Sequence, residues 1–156
     1  MNQRVYLETT IPSYLSARPS RDIVRAAEQE VTRAWWASRD RFDVYVSELV
    51  LKEVAAGDPA AAVQRIQSLA GIPVLELTPE AERLGTELVK RAALPAKAAI
   101  DALHISIAAV HGIDYLLTWN CKHIANATMR SKIELVCRTL RIEPPIICTP
   151  MELLEE

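Results

Sequence analysis

Residues 97–112 read Lys-Ala-Ala-Ile-Asp-Ala-Leu-His-Ile-Ser-Ile-Ala-Ala-Val-His-Gly, an almost wholly apolar run of helical length. A helix that is apolar around most of its circumference is buried, and Gly112 is a typical residue at which a helix ends. Residues 114–118, Asp-Tyr-Leu-Leu-Thr, are short and apolar, which is typical of a strand. A buried helix that leads directly into a strand indicates a mixed α/β fold.

Other segments repeat this alternation of strands and helices. Further strands are predicted at residues 5–7, 42–46, 73–77 and 146–148. Helices are predicted over residues 19–39 and from Ser47 to about residue 56. Three more begin where a capping residue precedes proline, at Asp58-Pro59, Thr78-Pro79 and Thr149-Pro150. Strands that are separated by helices pair in parallel, so we expect an α/β fold with a central, mainly parallel sheet.

The length and composition indicate one globular domain. The chain has 156 residues, of which 50% are hydrophobic and 24% charged, so we expect residues 1–156 to form a single domain. The formal net charge of −2 argues against a broad cationic surface. Three cysteines without zinc-ligand spacing favour reduced thiols in a cytoplasmic protein. No signal-peptide pattern is present, and no apolar run approaches the ~18 residues of a membrane span.

Three acidic residues occupy positions that invite a chemical interpretation. Glu8 ends the first strand, Glu53 lies on the apolar face of the helix that begins at Ser47, and Asp101 interrupts the buried helix. An unpaired buried carboxylate is costly, so Asp101 needs a cation or hydrogen-bond donors. Each acid also has a structural interpretation: Glu8 as a solvated strand end, Glu53 as an edge residue with a packed stem, and Asp101 as a helix-start residue favoured by the macrodipole.

Asn120, which follows the strand ending at Thr118, either adds a fourth polar group or caps a short helix at Cys121. Ligands bind beyond the carboxyl ends of parallel strands, so we expect Asn120 and the three acids to meet there. Carboxylate and amide oxygens suit Mg²⁺ or Mn²⁺, whereas His104 and His111 are interpreted as core or surface residues. The sequence lacks the glycine-rich phosphate loops and the nucleophile elbow of other enzyme classes.

Four segments carry these polar residues: Val-Tyr-Leu-Glu-Thr-Thr (5–10), Ser-Glu-Leu-Val-Leu-Lys-Glu (47–53), Asp-Ala-Leu-His-Ile (101–105) and Leu-Leu-Thr-Trp-Asn (116–120). In this order and spacing they resemble the PIN domain family, and in particular the VapC-type toxins of bacterial toxin–antitoxin pairs. The resemblance spans about residues 4–150 and implies a three-layer α/β/α sandwich. It implies that Glu8, Glu53, Asp101 and Asn120 are catalytic, that the three acids bind metal, and that Thr9 and Thr118 support them.

Three positions depart from the family pattern. Glu8 stands where the family usually has aspartate, and its extra methylene moves the carboxylate by about one ångström. Asn120 stands where the family has aspartate or sometimes asparagine, and His123 where many relatives carry another acid. Three carboxylates instead of four disfavour a second tightly bound ion, although phosphate oxygens of a substrate can complete a second site.

The resemblance implies a metal-dependent endoribonuclease that hydrolyses phosphodiester bonds in single-stranded RNA, with Mg²⁺ or Mn²⁺ lowering the pKa of a bound water. Phosphate contacts are expected from Lys52, Lys97, Lys122 and His123. The family also implies a homodimer and a cognate antitoxin protein as partners. Two alternatives stay open: a catalytically degenerate PIN-fold binding or regulatory module, and a metal-dependent nuclease or phosphatase acting on another phosphate ester.

Overall fold

The computed structural model describes residues 1–91 and 93–155. The strands are β1 (Gln3–Leu7), β2 (Phe42–Ser47), β3 (Val74–Leu75), β4 (Tyr115–Leu117) and β5 (Ile146–Cys148). The α-helices are α1 (Thr10–Ser16), α2 (Ile23–Ala37), α3 (Glu48–Val54), α4 (Pro59–Ser68), α5 (Pro79–Lys90), α6 (Ala99–Val110) and α7 (Ala127–Thr139). Short 3-10 helices lie at Arg39–Arg41, Ala96–Ala98 and Pro150–Leu153.

The strands form one sheet in the order β3-β2-β1-β4-β5, and every neighbouring pair is parallel. Leu7 of β1 lies opposite Leu117 of β4, so these two central strands end at the same level. Helix α5 packs on α6 and α7, while α1 packs on α2 and α4, and the helices flank the sheet as two layers. The predicted α/β/α three-layer sandwich is confirmed.

The core is built from the central strands and from every flanking helix layer, with α6 among its main contributors. Tyr6, Leu7 and Leu116 from the central strands are completely buried, as is Ile105 from α6. Helix α6 is thus the buried helix that the apolar run predicts. Gly112 follows it with φ of 68°, a left-handed conformation that glycine adopts without strain.

The predicted helix starts at Ser47, Asp58 and Thr78 are confirmed. Each of these side chains accepts a hydrogen bond from a backbone N–H in the first turn of its helix. Thr149 forms a capping box with Glu152, but the segment that it begins is a short 3-10 helix and not the predicted α-helix. None of the described helices is long and apolar enough to cross a membrane.

Two predictions on the N-terminal half need correction. Helix α1 was not predicted, because Pro12 and its serine and threonine neighbours weaken the helical pattern. The helix forms nevertheless, since proline is tolerated in the first turn of a helix. The helix predicted over residues 19–39 begins only at Ile23, where Asp22 caps it.

Three predictions on the other elements need correction as well. The strand predicted at residues 73–77 covers only Val74 and Leu75, because β3 lies at the sheet edge and pairs with β2 alone. Helix α7, capped by Asn126, was not predicted. The short helix expected after Asn120 is wrong: Asn120 Oδ1 accepts a hydrogen bond from the backbone N–H of His123 at 3.1 Å and closes a turn.

The cysteines are free thiols, as their number and spacing suggest. Cys137 and Cys148 are buried, and burial raises the pKa of Cys137 to about 11 and that of Cys148 to about 12. A thiol with so high a pKa carries almost no thiolate at neutral pH, so both residues contribute packing and not nucleophilic chemistry.

Candidate active site

The candidate site begins where β1 and β4 end side by side. The backbone N–H of Glu8 donates to the carbonyl oxygen of Leu117 at 3.0 Å, which extends the parallel ladder one residue beyond β1. Glu8 and Thr118 therefore leave the sheet at the same level. This carboxyl edge is where open α/β sheets bind their ligands.

Glu8 is held by threonine hydroxyls. Its Oε1 accepts hydrogen bonds from Thr118 Oγ1 at 2.6 Å, from Thr10 Oγ1 at 2.6 Å and from the backbone N–H of Thr10 at 3.1 Å. Only 5% of the residue is exposed. Glu8 is therefore not a solvated strand-end acid, because its carboxylate depends on protein donors in place of water.

Glu53 lies on α3, whose start is fixed by the Ser47 cap. Its Oε1 accepts hydrogen bonds from Thr9 Oγ1 at 2.7 Å and from His104 Nε2 at 2.5 Å. Partial burial by itself would raise the pKa of Glu53, but the hydrogen bonds from His104 and Thr9 outweigh it and hold the pKa below its usual value. Glu53 is consequently an anion at neutral pH.

Asp101 lies in the first turn of α6 and faces the segment after β4. Its Oδ1 accepts from Asn120 Nδ2 at 3.0 Å, and its Oδ2 contacts His123 Nδ1 at 3.1 Å. The side-chain oxygen Oδ1 of Asn120 accepts from the backbone N–H of His123, which turns the side-chain nitrogen Nδ2 toward Asp101. Both oxygens of Asp101 are thus held by side chains from one tight turn.

The three carboxylates have little positive charge around them. Among residues 1–91 and 93–155, their only ion-pair contacts are those of Glu53 with His104 and of Asp101 with His123. Lysine and arginine form no such pair with them in these ranges. The groups that hold the acids are hydroxyls, an amide and imidazoles, so the site has an excess of negative charge.

The order of these residues along the chain matches a known family. The sequence profile of the PIN domain matches residues 5–120, a stretch that contains Glu8, Glu53, Asp101 and Asn120. The chain belongs to the PIN domain family. PIN domains are nucleases, so the resemblance inferred from the four motifs is confirmed at the level of the family and its broad chemistry.

Two solved structures share this PIN fold. One is VapBC2 from Rickettsia felis bound to a DNA fragment from their promoter, with 15% sequence identity, a TM-score of 0.56, and coverage of 94% of this chain and 98% of that chain. The other is VapC20 from Mycobacterium tuberculosis, a sarcin-ricin loop cleaving toxin. It has 20% sequence identity, a TM-score of 0.59, and coverage of 76% of this chain and 91% of that chain. At these identities the likeness concerns the fold. No curated protein matches the chain in sequence.

The donor set of this PIN domain fits a hard divalent cation. Its charged groups are carboxylates, the ligands that Mg²⁺ and Mn²⁺ prefer. In the described part of the chain, no three Asp, Glu, His or Cys side chains form a group that could hold one ion together. Mg²⁺ usually binds one or two carboxylates and keeps several waters, so the chemistry fits. A single ion shared by Glu8, Glu53 and Asp101 stays a prediction.

Thr10 and His104 belong to the site but were not predicted as part of it. The resemblance assigns support to Thr9 and Thr118, and the structure places Thr9 at Glu53 and both Thr118 and Thr10 at Glu8. His104 is buried, as its interpretation as a core residue suggests, but it also contacts Glu53. Its position one helical turn after Asp101 is the signal that could have indicated this role.

The residues expected to contact RNA differ in their surroundings. Lys52, Lys97 and Lys122 are exposed and free to meet a phosphate backbone. The His123 side chain is only 15% exposed, and its Nδ1 is already engaged by Asp101. The part of these four residues in RNA binding stays a prediction.

Proposed function

We propose that this PIN domain is an endoribonuclease that hydrolyses phosphodiester bonds in single-stranded RNA with the aid of Mg²⁺ or Mn²⁺. The observation that carries the proposal is the arrangement of Glu8, Glu53 and Asp101 at one sheet edge, with no lysine or arginine paired to them among the described residues. A phosphate cannot approach such a site without a cation, because like charges repel.

Asp101 and Glu8 would hold the ion, with Glu53 bound to it directly or through one of its waters, and Asn120 would complete the set of catalytic residues. When bound, the ion supplies a water of lowered pKa and positive charge for the phosphate under attack. Asn120 contributes an amide where an acid would add charge, and with His123 it occupies both oxygens of Asp101. This favours one tightly bound ion over two.

The remaining residues would orient the acids or bind the substrate. Thr118 and Thr9 keep Glu8 and Glu53 in fixed orientations through short hydrogen bonds. The exposed residues Lys52, Lys97 and Lys122, with the partly covered His123, would contact RNA phosphates. A small number of basic contacts is consistent with a net charge of −2.

The biological role we propose is that of the toxin in a bacterial toxin–antitoxin pair. The support is structural: the fold is similar to that of VapC20, a toxin, and to that of VapBC2, a complex bound to promoter DNA. We therefore propose a cognate antitoxin as partner, a homodimer as the assembly and the cytoplasm as the location.

A second candidate function is a catalytically degenerate PIN-fold module that binds without turnover. The observation that favours it is that both Asp101 oxygens already accept hydrogen bonds, from Asn120 and His123. A cation would have to compete with these donors. A phosphatase or a nuclease for another phosphate ester would use the same acids.

One assay distinguishes these functions. The protein is incubated with single-stranded RNA and Mn²⁺ or Mg²⁺, in parallel with double-stranded RNA, single-stranded DNA and a phosphomonoester. Asp101→Asn serves as the site variant. Asp43→Asn serves as its matched control, because Asp43 is an exposed aspartate on β2, beside Arg4 and away from the carboxyl edge.

The ribonuclease proposal expects cleavage of single-stranded RNA that needs the metal, survives Asp43→Asn and is lost in Asp101→Asn. Cleavage that persists in Asp101→Asn or with EDTA comes from a contaminant and overturns the proposal. Mn²⁺ binding without cleavage of any substrate supports the degenerate module, and turnover of DNA or the phosphomonoester alone supports the other phosphate-ester enzyme.

A further inference from the structure

A line of hydrogen bonds leads from the core to Glu53. Ser47 Oγ lies 2.8 Å from the Tyr6 hydroxyl, and that hydroxyl lies 2.7 Å from His104 Nδ1. On the other side of the ring, His104 Nε2 contacts Glu53 Oε1 at 2.5 Å. Ser47 and Tyr6 are fully buried and His104 is 1% exposed, so only the Glu53 end of the line reaches solvent.

The ends of the line determine which atom donates at each step. Glu53 is an anion and can only accept, so His104 Nε2 must carry a proton. In the neutral ring Nδ1 is then an acceptor, and the Tyr6 hydroxyl donates to it. The Tyr6 oxygen in turn accepts from the Ser47 hydroxyl, while Ser47 Oγ accepts from the backbone N–H of Val50.

Every polar hydrogen of the line has an acceptor in this arrangement. The opposite tautomer of His104 would place the lone pair of Nε2 against the Glu53 carboxylate, which is repulsive at this distance. The contacts on the two sides of the ring therefore favour one orientation of His104, with a proton on Nε2.

We propose that His104 is a positioning residue of the nuclease site, which holds the Glu53 carboxylate in the orientation needed to bind a divalent cation. This rests on the proposed function. Both hydrogen bonds of Glu53, from His104 and from Thr9, end on Oε1, and no described residue donates to Oε2. Oε2 is the oxygen left for a cation or for one of its waters.

The position of His104 in the fold accounts for its effect. It lies on α6 one turn after Asp101, while Glu53 lies on α3, so the imidazole links the two helices that carry these acids. Its α6 neighbours Ala102, Ile105 and Ala108 are buried and apolar. An apolar residue would satisfy that packing, so it is the two polar contacts, with Tyr6 in the core and with Glu53 at the site, that require an imidazole.

Two substitutions of similar chemistry test the proposal. The amide nitrogen of glutamine reaches about as far as His104 Nε2, whereas that of asparagine reaches only to the level of Nδ1. His104→Gln therefore keeps a donor for Glu53, and His104→Asn keeps a partner for Tyr6 but loses Glu53. Binding of Mn²⁺ to the full chain is measured by calorimetry, with the melting temperature recorded for each variant.

We expect His104→Asn to weaken Mn²⁺ binding by about 10- to 100-fold, as is typical when a group that orients a metal ligand is removed. His104→Gln should stay within about threefold of the unmodified protein. Equal Mn²⁺ affinity in all three proteins, or equal loss in both variants, would overturn the proposal. If the unmodified protein itself binds no Mn²⁺, the proposed function fails, and the role of His104 fails with it.

A second measurement needs no substitution and no metal. The imidazole ¹⁵N shifts of His104 report its tautomer in the metal-free protein at neutral pH, with Glu53→Gln used to assign the signal. We expect a proton on Nε2. A proton on Nδ1 alone would overturn the proposal even if neither His104 variant folds. Loss of RNA cleavage with this tautomer and Mn²⁺ binding intact would instead count against the proposed function.

Discussion

Thr118 Oγ1 donates a hydrogen bond to Glu8 Oε1 at 2.6 Å and so joins the ends of two adjacent strands through their side chains. The same hydroxyl accepts from the backbone N–H of Asn120 at 2.9 Å. One buried threonine therefore fixes both a predicted metal ligand and the turn that carries Asn120. Its two bonds can be removed together without changing the shape of the side chain.

Thr118→Val should destabilise the protein by about 1–3 kcal/mol, because a buried carboxylate and a backbone N–H each lose a partner. Urea unfolding of the metal-free protein measures the change. Thr139→Val is the matched control, since Thr139 is exposed and its hydroxyl bonds only to the Leu135 carbonyl of its own helix. We expect the control to stay within about 0.5 kcal/mol, and an equal effect of the two variants would contradict the role of Thr118.

Asn120→Asp should bring a second negative charge next to Asp101, at the 3.0 Å contact that the amide now makes. The metal-free protein should lose about 1 kcal/mol or more of stability, because two carboxylates then face each other. Mn²⁺ should bind more tightly and raise the melting temperature more than in the unmodified protein.

Thermal unfolding with and without Mn²⁺ measures both effects of Asn120→Asp. Asn126→Asp is the control, because it adds the same charge at the partly exposed cap of α7, where aspartate is also a good capping residue. An Asn120→Asp protein that responds to Mn²⁺ no more than this control would show that Asn120 lies outside the cation site.

Glu53 should make stability depend on pH in the acidic range. Its pKa is lower in the folded protein than its ordinary value of 4.5, so its contribution is fully present above that value and is lost as the pH falls through the folded pKa. Glu53→Gln should therefore be less stable than the unmodified protein at neutral pH. The two stabilities should converge below about pH 4.5. Urea unfolding across this pH range tests the prediction, and a gap that does not change with pH would refute it.

The exposed lysines that are proposed to contact RNA should control the salt dependence of RNA binding. For a single strand, removing one lysine–phosphate interaction should reduce the slope of log K against log salt by about 0.7. Replacing Lys52, Lys97 and Lys122 together by alanine should weaken binding and flatten this slope, measured by fluorescence anisotropy in an Asp101→Asn background that does not cleave. Lys132→Ala, an exposed lysine on α7, is the control, and a slope that matches the control would exclude the three lysines.

Much of the fold follows from local patterns. The caps at Ser47, Asp58 and Thr78 and the burial of α6 are confirmed, because capping and hydrophobic periodicity act within a few residues of chain. The misses are also local in origin. Helix α1 carries Pro12 and hydroxyl residues, and Thr9 at its start gives its side chain to Glu53 instead of capping the helix.

The candidate site could be predicted only in part. Glu8, Glu53, Asp101 and Asn120 stand out because polar residues interrupt apolar patterns or follow strands, and the PIN domain match includes all four. The donors that hold them do not stand out in this way. A buried histidine in an apolar helix is usually a core residue, and the only local sign that His104 differs from that common case is its position one helical turn after Asp101.

The sequence by itself determined the parallel α/β architecture, the family and the positions of the acids along the chain, because these depend on short-range spacing and side-chain type. Only the tertiary structure decided which donor meets which acid. Thr118 is 110 residues from Glu8, and His104 is 51 residues from Glu53. Such contacts arise from strand register and from the relative positions of α3 and α6, so their geometry exists only once the sheet and the helices have assembled.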